Sequence, residues 1–169
     1  MTGGWSGDIR LWDSNSGQEL PSIMKQSSRI MAMSFSPAEP NLLASTGGDR
    51  SIRLWDLASQ RERARLHGAS AELSELAFST DGQTIATGGH MNPITLWDAS
   101  QTKAEIIAVP TKSRNCVLGF SEPLQDISHI AFSPDGNYLI TCDANALRVW
   151  RAPSFKEIAD REARLGRWR

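Results

Sequence analysis

Cysteine, histidine and tyrosine are scarce in this chain, and each scarcity closes off a class of function. Two Cys in 169 residues, Cys116 and Cys142, cannot build a disulfide framework, and no CxxC spacing exists. Both read as free thiols of an intracellular protein. Three His, at positions 67, 90 and 129, form no metal-ligand spacing with them, so no metal or other cofactor is expected. No apolar run approaches the ~20 residues of a membrane span. Met1-Thr2-Gly3-Gly4-Trp5 lacks the basic and apolar regions of a secretory leader, so the expected compartment is the cytoplasm. Charge of one sign is also missing. The formal net charge is −1, which argues against nucleic acid as a partner and leaves a membrane surface without support.

Catalytic signatures are absent too. There is no GxSxG elbow, no GxxxxGK[ST] loop, no HExxH and no kinase signature. Asp126, His129 and Ser133 make a triad in name only. His129 sits in a strand-like run beside Ile127 and Ile130, where a locally bonded strand histidine is the simpler reading. The chain is therefore expected not to be an enzyme. With 40% hydrophobic and 22% charged residues it has the composition of an ordinary folded domain, long enough to bury a core.

Tryptophan, by contrast, is plentiful: six Trp against one Tyr. Most of them recur in phase. Thr-Gly-Gly stands at 2–4, 46–48 and 87–89, and each copy leads into an apolar strand ending in Trp-Asp. Those ends are Ile9-Arg10-Leu11-Trp12-Asp13, Ile52-Arg53-Leu54-Trp55-Asp56 and Ile94-Thr95-Leu96-Trp97-Asp98, with a degenerate fourth, Leu147-Arg148-Val149-Trp150-Arg151. The Trp spacings are 43, 42 and 53 residues. A second landmark keeps step: Phe35-Ser36-Pro37, Phe78-Ser79-Thr80-Asp81-Gly82 and Phe132-Ser133-Pro134-Asp135-Gly136 precede the next Trp by 20, 19 and 18 residues. Two landmarks in phase mark an internal repeat.

Each repeat reads as four short strands. Strand one ends in the Phe, an Asp-Gly pair turns the chain, strand two follows, strand three carries the Trp, and a segment such as Gln18-Glu19-Leu20 closes the sheet. Strands are expected near 7–12, 31–35, 42–46, 51–56, 74–78, 84–88, 93–97, 128–132, 138–142 and 146–151, the inner ones apolar on both faces.

This pattern resembles the WD-repeat family across residues 2–151. The resemblance implies an all-β fold: a partial β-propeller of about three four-stranded antiparallel blades, with a short C-terminal helix. An incomplete first blade spans 2–20 and supplies strands three and four only. Repeats follow at about 21–62, 63–105 and 127–151, with an insertion at about 106–126. In the family a polar tetrad ties a blade: the strand-three Trp, a strand-two Ser or Thr, a turn Asp and a His. Trp55, Asp49 and either Ser45 or Thr46 match three of the four. Gly89-His90 spells the family's Gly-His pair but lies in the turn before Trp97, where the Asp belongs. His67 is nearer the right place, yet Gly follows it. The blade-building residues are thus Trp12, Asp13, Asp49, Trp55, Asp56, Trp97, Asp98 and Trp150.

Residues 152–169 differ in character. Residues 151–169 hold six Lys or Arg against three Asp or Glu. Ser154 with Glu157 suggests a capping box, and Phe155, Ile158 and Leu165 keep helical spacing; the competing reading aligns Lys156-Glu157-Ile158 with Gln18-Glu19-Leu20 as an outer strand. The run Trp150-Arg151-Ala152-Pro153-Ser154-Phe155-Lys156-Glu157-Ile158 is similar to the ends of bacterial multidomain proteins that join a serine/threonine kinase to WD repeats.

What the resemblance implies is a non-catalytic scaffold that binds other proteins, as a piece of a larger protein. The alternative is the C-terminal regulatory or targeting propeller of a bacterial kinase. Trp5, Arg50 and Met91 occupy equivalent turns before strand three and are the candidate binding surface. An incomplete propeller also exposes blade faces, from which self-association into a ring-like dimer of about six to seven blades, aggregation, or dependence on upstream sequence is expected.

Overall fold

The computed structural model of the chain describes residues 1–22, 24–69, 71–89, 92–99, 106–108 and 126–151. These residues form fourteen strands and no helix, in four antiparallel sheets that succeed one another along the chain. The first holds β1 (Thr2–Gly3), β2 (Ile9–Trp12) and β3 (Glu19–Leu20). The second holds β4 (Ile30–Phe35), β5 (Leu42–Gly47), β6 (Ser51–Asp56) and β7 (Arg61–His67). The third holds β8 (Glu75–Phe78), β9 (Thr84–Gly89), β10 (Asn92–Asp98) and β11 (Ile106–Ala108), and the fourth β12 (His129–Phe132), β13 (Tyr138–Cys142) and β14 (Leu147–Arg151).

Three boundaries read from the sequence shift. Thr2–Gly3 pairs with β2, so the first sheet keeps the end of a second strand besides strands three and four. The division at 62/63 cuts through β7, whose residues pair with β6 from Ser51↔His67 to Asp56↔Arg61. Residues 106–108, assigned to the insertion, pair with β10 as an outer strand. Outer strands carry no repeat landmark, which is why the sequence misplaced their ends. The rest of the insertion and the helix expected within 152–169 lie outside the described residues.

Side-chain alternation builds the core. In β5 Leu42 and Ala44 point to one side and Leu43 to the other, and a sheet covered on both faces needs apolar residues at both sets of positions. Three buried clusters result, one between each pair of neighbouring sheets. Ile9 meets Leu43 and Trp55; Leu42, Ile52 and Leu54 meet Ile85 and Trp97; Ala86, Ile94 and Leu96 meet Leu139 and Trp150. Each strand-three Trp therefore faces the preceding sheet, and the aliphatic residues before it face the following one.

The Asp-Gly turns contribute to the same stacking. Gly82 has φ +70°, and a Cβ there would lie 2.6 Å from the Ala38 Cβ in the second sheet's turn. Gly136, at φ +72°, comes equally close to Thr80. β4 departs from the two-sided apolar expectation. Phe35 faces the first sheet and stays exposed, because only the two residues of β1 stand opposite it, whereas its counterpart Phe78 is buried.

Candidate functional site

One hydrogen bond repeats in every sheet. Trp12 Nε1 donates to Thr2 Oγ1 (3.1 Å), Trp55 to Ser45 Oγ (2.8 Å), Trp97 to Thr87 Oγ1 (2.7 Å) and Trp150 to Thr141 Oγ1 (3.0 Å). In each case the acceptor pairs in register with the residue two before the Trp: Arg10, Arg53, Thr95 and Arg148. Ser45 is thus the second-strand partner in the second sheet. Thr46 points the other way and donates to the Leu73 carbonyl (3.0 Å), a tie to the third sheet.

The chain of bonds runs on from Ser45 to a residue the sequence reading missed. Ser45 Oγ donates to Gln26 Oε1 (2.8 Å), and Gln26 Nε2 donates to the Arg29 carbonyl (3.1 Å). Gln26 is buried, so the Trp55–Ser45 bond is continued by an amide and not by a His. His67 instead pairs with Ser51 at the start of β6, and His90 is outside the described residues. Asp49 is occupied elsewhere, accepting from Arg53 Nη2 (2.6 Å) and Ser51 Oγ (2.8 Å).

Arg53 and Arg148 are the second omission. Both are buried inside strands that otherwise read as apolar. Arg53 is paired with Asp49 and with Glu62 (2.7 Å), and Arg148 with Asp143. One nitrogen, Nε, is left without a hydrogen-bond partner in each. Burial alone would raise the Asp49 and Glu62 pKa values. Hydrogen bonds and positive charge from Arg53, joined by Ser51 at Asp49 and by Arg65 at Glu62, hold both below the ordinary range. The Arg148 hydrogen bond, helped by the backbone N–H groups of Asn145 and Ala146, does the same for Asp143. The signal was available: Arg recurs two residues before Trp in three of the four repeats.

The Asp residues after Trp lock turns. Asp13 Oδ1 accepts from the N–H of Asn15 and Ser16, and Asp56 Oδ1 from those of Ala58 and Ser59. Asp98 is buried at the end of β10. These are structural contacts with no reacting group among them. The nominal triad does not assemble either. The Ser133 hydroxyl donates to Asp135 and accepts from the Tyr138 N–H, while His129 pairs with Cys142 at the start of β12. Among the described residues no group of three His, Cys, Asp or Glu could hold a metal ion. Among them, too, no helix is long and apolar enough to cross a membrane.

The turns before strand three in the first two sheets lie side by side, bridged by Arg29. Trp5, in the first sheet's turn, is 82% exposed. The Arg29 guanidinium lies 5.0 Å from its ring centroid and is ion-paired with Glu72. Arg29 leads into β4 and Glu72 precedes β8, so this contact chain spans three sheets. Both side chains run beside Gly48, where a Cβ would lie in ordinary contact, 3.4 Å from Arg29 and 3.5 Å from Glu72. Arg50 is exposed in the same turn at φ +60°, held there by its N–H bond to the Gly47 carbonyl (3.2 Å). Met91 lies outside the described residues. Arg29 and Glu72 sit in the connections between sheets, where no periodicity could have pointed to them.

Comparison with known proteins agrees with this geometry. The family model "WD domain, G-beta repeat" matches residues 17–56 and 114–151. The chain is 24% identical over 159 residues to Polycomb protein EED of Chaetomium thermophilum, covering 90% of this chain and 28% of that protein. It is 29% identical to Transducin beta-like protein 3 of Bos taurus, over 90% of this chain and 19% of the other. It is 36% identical over 109 residues to Small ribosomal subunit protein RACK1 of Caenorhabditis elegans, covering 59% of this chain and 33% of that protein. It therefore spans a third or less of each of these relatives. Among solved structures, a chain of the crystal structure of the Mitotic Checkpoint Complex superposes with a TM-score of 0.70 at 21% identity, over 90% of this chain and 46% of that one.

Proposed function

We propose that this run of β-propeller blades is a non-catalytic scaffold of the WD-repeat type, acting in the cytoplasm, that binds other proteins through the face carrying Trp5, Arg29 and Arg50. The observation that carries this reading is Trp5 itself. A large aromatic ring at 82% exposure gains nothing for folding, yet Arg29 stacks on it and Glu72 holds Arg29 in place. An aromatic and an Arg fixed side by side lose little conformational freedom on binding, which is how a few such residues come to dominate an interface. The relatives named above bear on this reading through their repeats alone.

Quantitative affinity capture tests it, using the whole chain, Trp5→Ala and a control on another surface, Arg63→Ala. The expected result is a set of proteins retained by the wild type and the control and lost by Trp5→Ala. Identical capture by all three would set the reading aside. The kinase-linked alternative rests on the run at 150–158 alone, and an in-frame kinase domain in the encoding gene would support it.

A further inference from the structure

A chain of hydrogen bonds runs from the core to Arg29, and its direction is fixed at both ends. It starts at Trp55, whose indole N–H can only donate, and ends at the Arg29 carbonyl, which can only accept. Ser45 Oγ accepts from Trp55, so its own hydrogen goes to Gln26 Oε1 (2.8 Å). That turns Gln26 Nε2 toward the Arg29 carbonyl (3.1 Å) and Ser28 Oγ (3.3 Å). Position 26 therefore needs an acceptor and a donor on one group, and an amide supplies both. Gln26, Ser45 and Trp55 are all buried, so these bonds form where solvent does not compete. The backbone closes on the same point. The Gly48 N–H reaches the Arg29 carbonyl at 3.3 Å, and a Cβ at Gly47 would lie 1.9 Å from that oxygen and 2.6 Å from Gln26 Nε2. On the other side of the same peptide unit, the Ile30 N–H donates to the Gly4 carbonyl (3.0 Å), next to Trp5. The peptide joining Arg29 to Ile30 is thus held at both ends, its oxygen by Gln26 and Gly48 and its N–H by the residue before Trp5.

Taking the face with Trp5 and Arg29 as the binding surface, we propose that Gln26 is its positioning residue: the amide sets the Arg29–Ile30 peptide so that the Arg29 guanidinium lies over the Trp5 ring and reaches Glu72. The guanidinium stands 5.0 Å from the ring centroid and is ion-paired with Glu72, which precedes the third sheet. A long side chain keeps two such partners together only when the backbone that carries it is fixed. Held in advance, it gives up little rotamer freedom when a partner arrives. Gln26 is itself buried, so it serves the surface through the Arg29 backbone and not as a contact of the partner. The requirement at position 26 is chemical as well as steric. A thioether of similar length fills the space but cannot donate, and leaves the Arg29 carbonyl to the longer Gly48 bond. A neutral imidazole carries one acceptor and one donor nitrogen and replaces both functions of the amide.

Ring-current shifts in proton NMR spectra of the whole chain test this role. Arg29 side-chain protons over the Trp5 ring resonate upfield, and Trp5→Ala, which removes the ring, identifies them. Gln26→Met should abolish most of that upfield shift, and Gln26→His should retain it. The Trp97 indole signal comes from a ring enclosed between other strands, so it should stay in place in both variants and reports that the sheets are folded. Should Gln26→Met not fold, Ser45→Ala removes a single oxygen and frees the amide to turn, with the same loss of shift expected. An unchanged Arg29 shift in the folded Met or Ala variant, or its loss in folded Gln26→His, would overturn the proposal. The shift is read without any partner, so a failure of the scaffold reading leaves this result untouched. Where that reading holds, Gln26→Met should lose the proteins that Trp5→Ala loses, and Gln26→His should keep them. Retention by Gln26→Met equal to wild type, with Trp5→Ala retaining less, would also overturn the proposal.

Discussion

Four tryptophans make the same hydrogen bond in four settings, and burial separates their contributions. Trp97 is 0% exposed between two sheets, so Trp97→Ala leaves a cavity that close-packed strands cannot fill and should cost about 3–5 kcal/mol. Trp5→Ala should change stability by less than about 1 kcal/mol, as surface substitutions do. Denaturant titrations of both decide the matter; equal losses would mean that the Trp97 ring is not enclosed as described. The buried pair Arg148–Asp143 gives a second contrast. Asp143 also accepts from the N–H groups of Asn145 and Ala146, so it stays satisfied in Arg148→Met. Among the described residues Arg148 has no such second partner, and Asp143→Ala leaves a buried charge unpaired. Asp143→Ala should therefore lower the melting temperature more than Arg148→Met; the reverse order would show that Arg148 is solvated. At this scale the sequence was half legible. Trp and Asp were found because they recur in phase. Gln26 was not, since it occurs once, and the choice of Ser45 over Thr46 turned on which side of β5 each points to.

At the scale of the element, inner strands were readable and outer ones were not. Strands 51–56 and 84–89 are apolar on both sides and bounded by turn residues, so their limits fell within a residue of expectation. β7, Arg-Glu-Arg-Ala-Arg-Leu-His, buries only Leu66 fully, and a polar edge strand has no signature beyond its partner's backbone. Turns make a sharper prediction. Gly17 and Gly82 both have positive φ, but a Cβ meets nothing at Gly17 and meets Ala38 at 2.6 Å at Gly82. Each Gly→Ala substitution bears the left-handed strain of about 1–2 kcal/mol, and only Gly82→Ala adds a clash with the neighbouring sheet. Chemical denaturation should rank Gly82→Ala clearly below Gly17→Ala; equal effects would mean that this turn does not touch the second sheet.

The turn carboxylates also set how the chain responds to acid. Asp49, Glu62 and Asp143 titrate below the ordinary 3.8 of an aspartate or 4.5 of a glutamate, and Asp135, hydrogen-bonded by Ser133 and Asn137, is lowered to about 2. A carboxylate whose pKa is lower folded than unfolded adds stability that is complete above its unfolded pKa and fades as pH falls through the folded one. Glu75 is raised by burial and acts in the opposite sense. Asp8 and Asp13 are lowered too, by hydrogen bonds from Lys25 and Ser16, so with six groups against one, melting temperature should be flat above about pH 5.5 and fall below about pH 4.5. A melting temperature that rises on acidification from pH 5 to pH 3 would contradict these ion pairs.

Across the whole molecule, stability should be graded along the chain. Repeat proteins draw much of their stability from contacts between neighbours. The second and third sheets have a sheet on each side and the longest strands, and β5 and β9 are buried at every residue. The first sheet has strands of two, four and two residues and one neighbour. Amide exchange should therefore be slowest in β5, β6, β9 and β10 and fastest in β1 to β3, with β12 to β14 between them. Uniform protection from β1 to β14 at every concentration would mean that the four sheets unfold as one unit, and that the number of neighbours a sheet has does not set its stability.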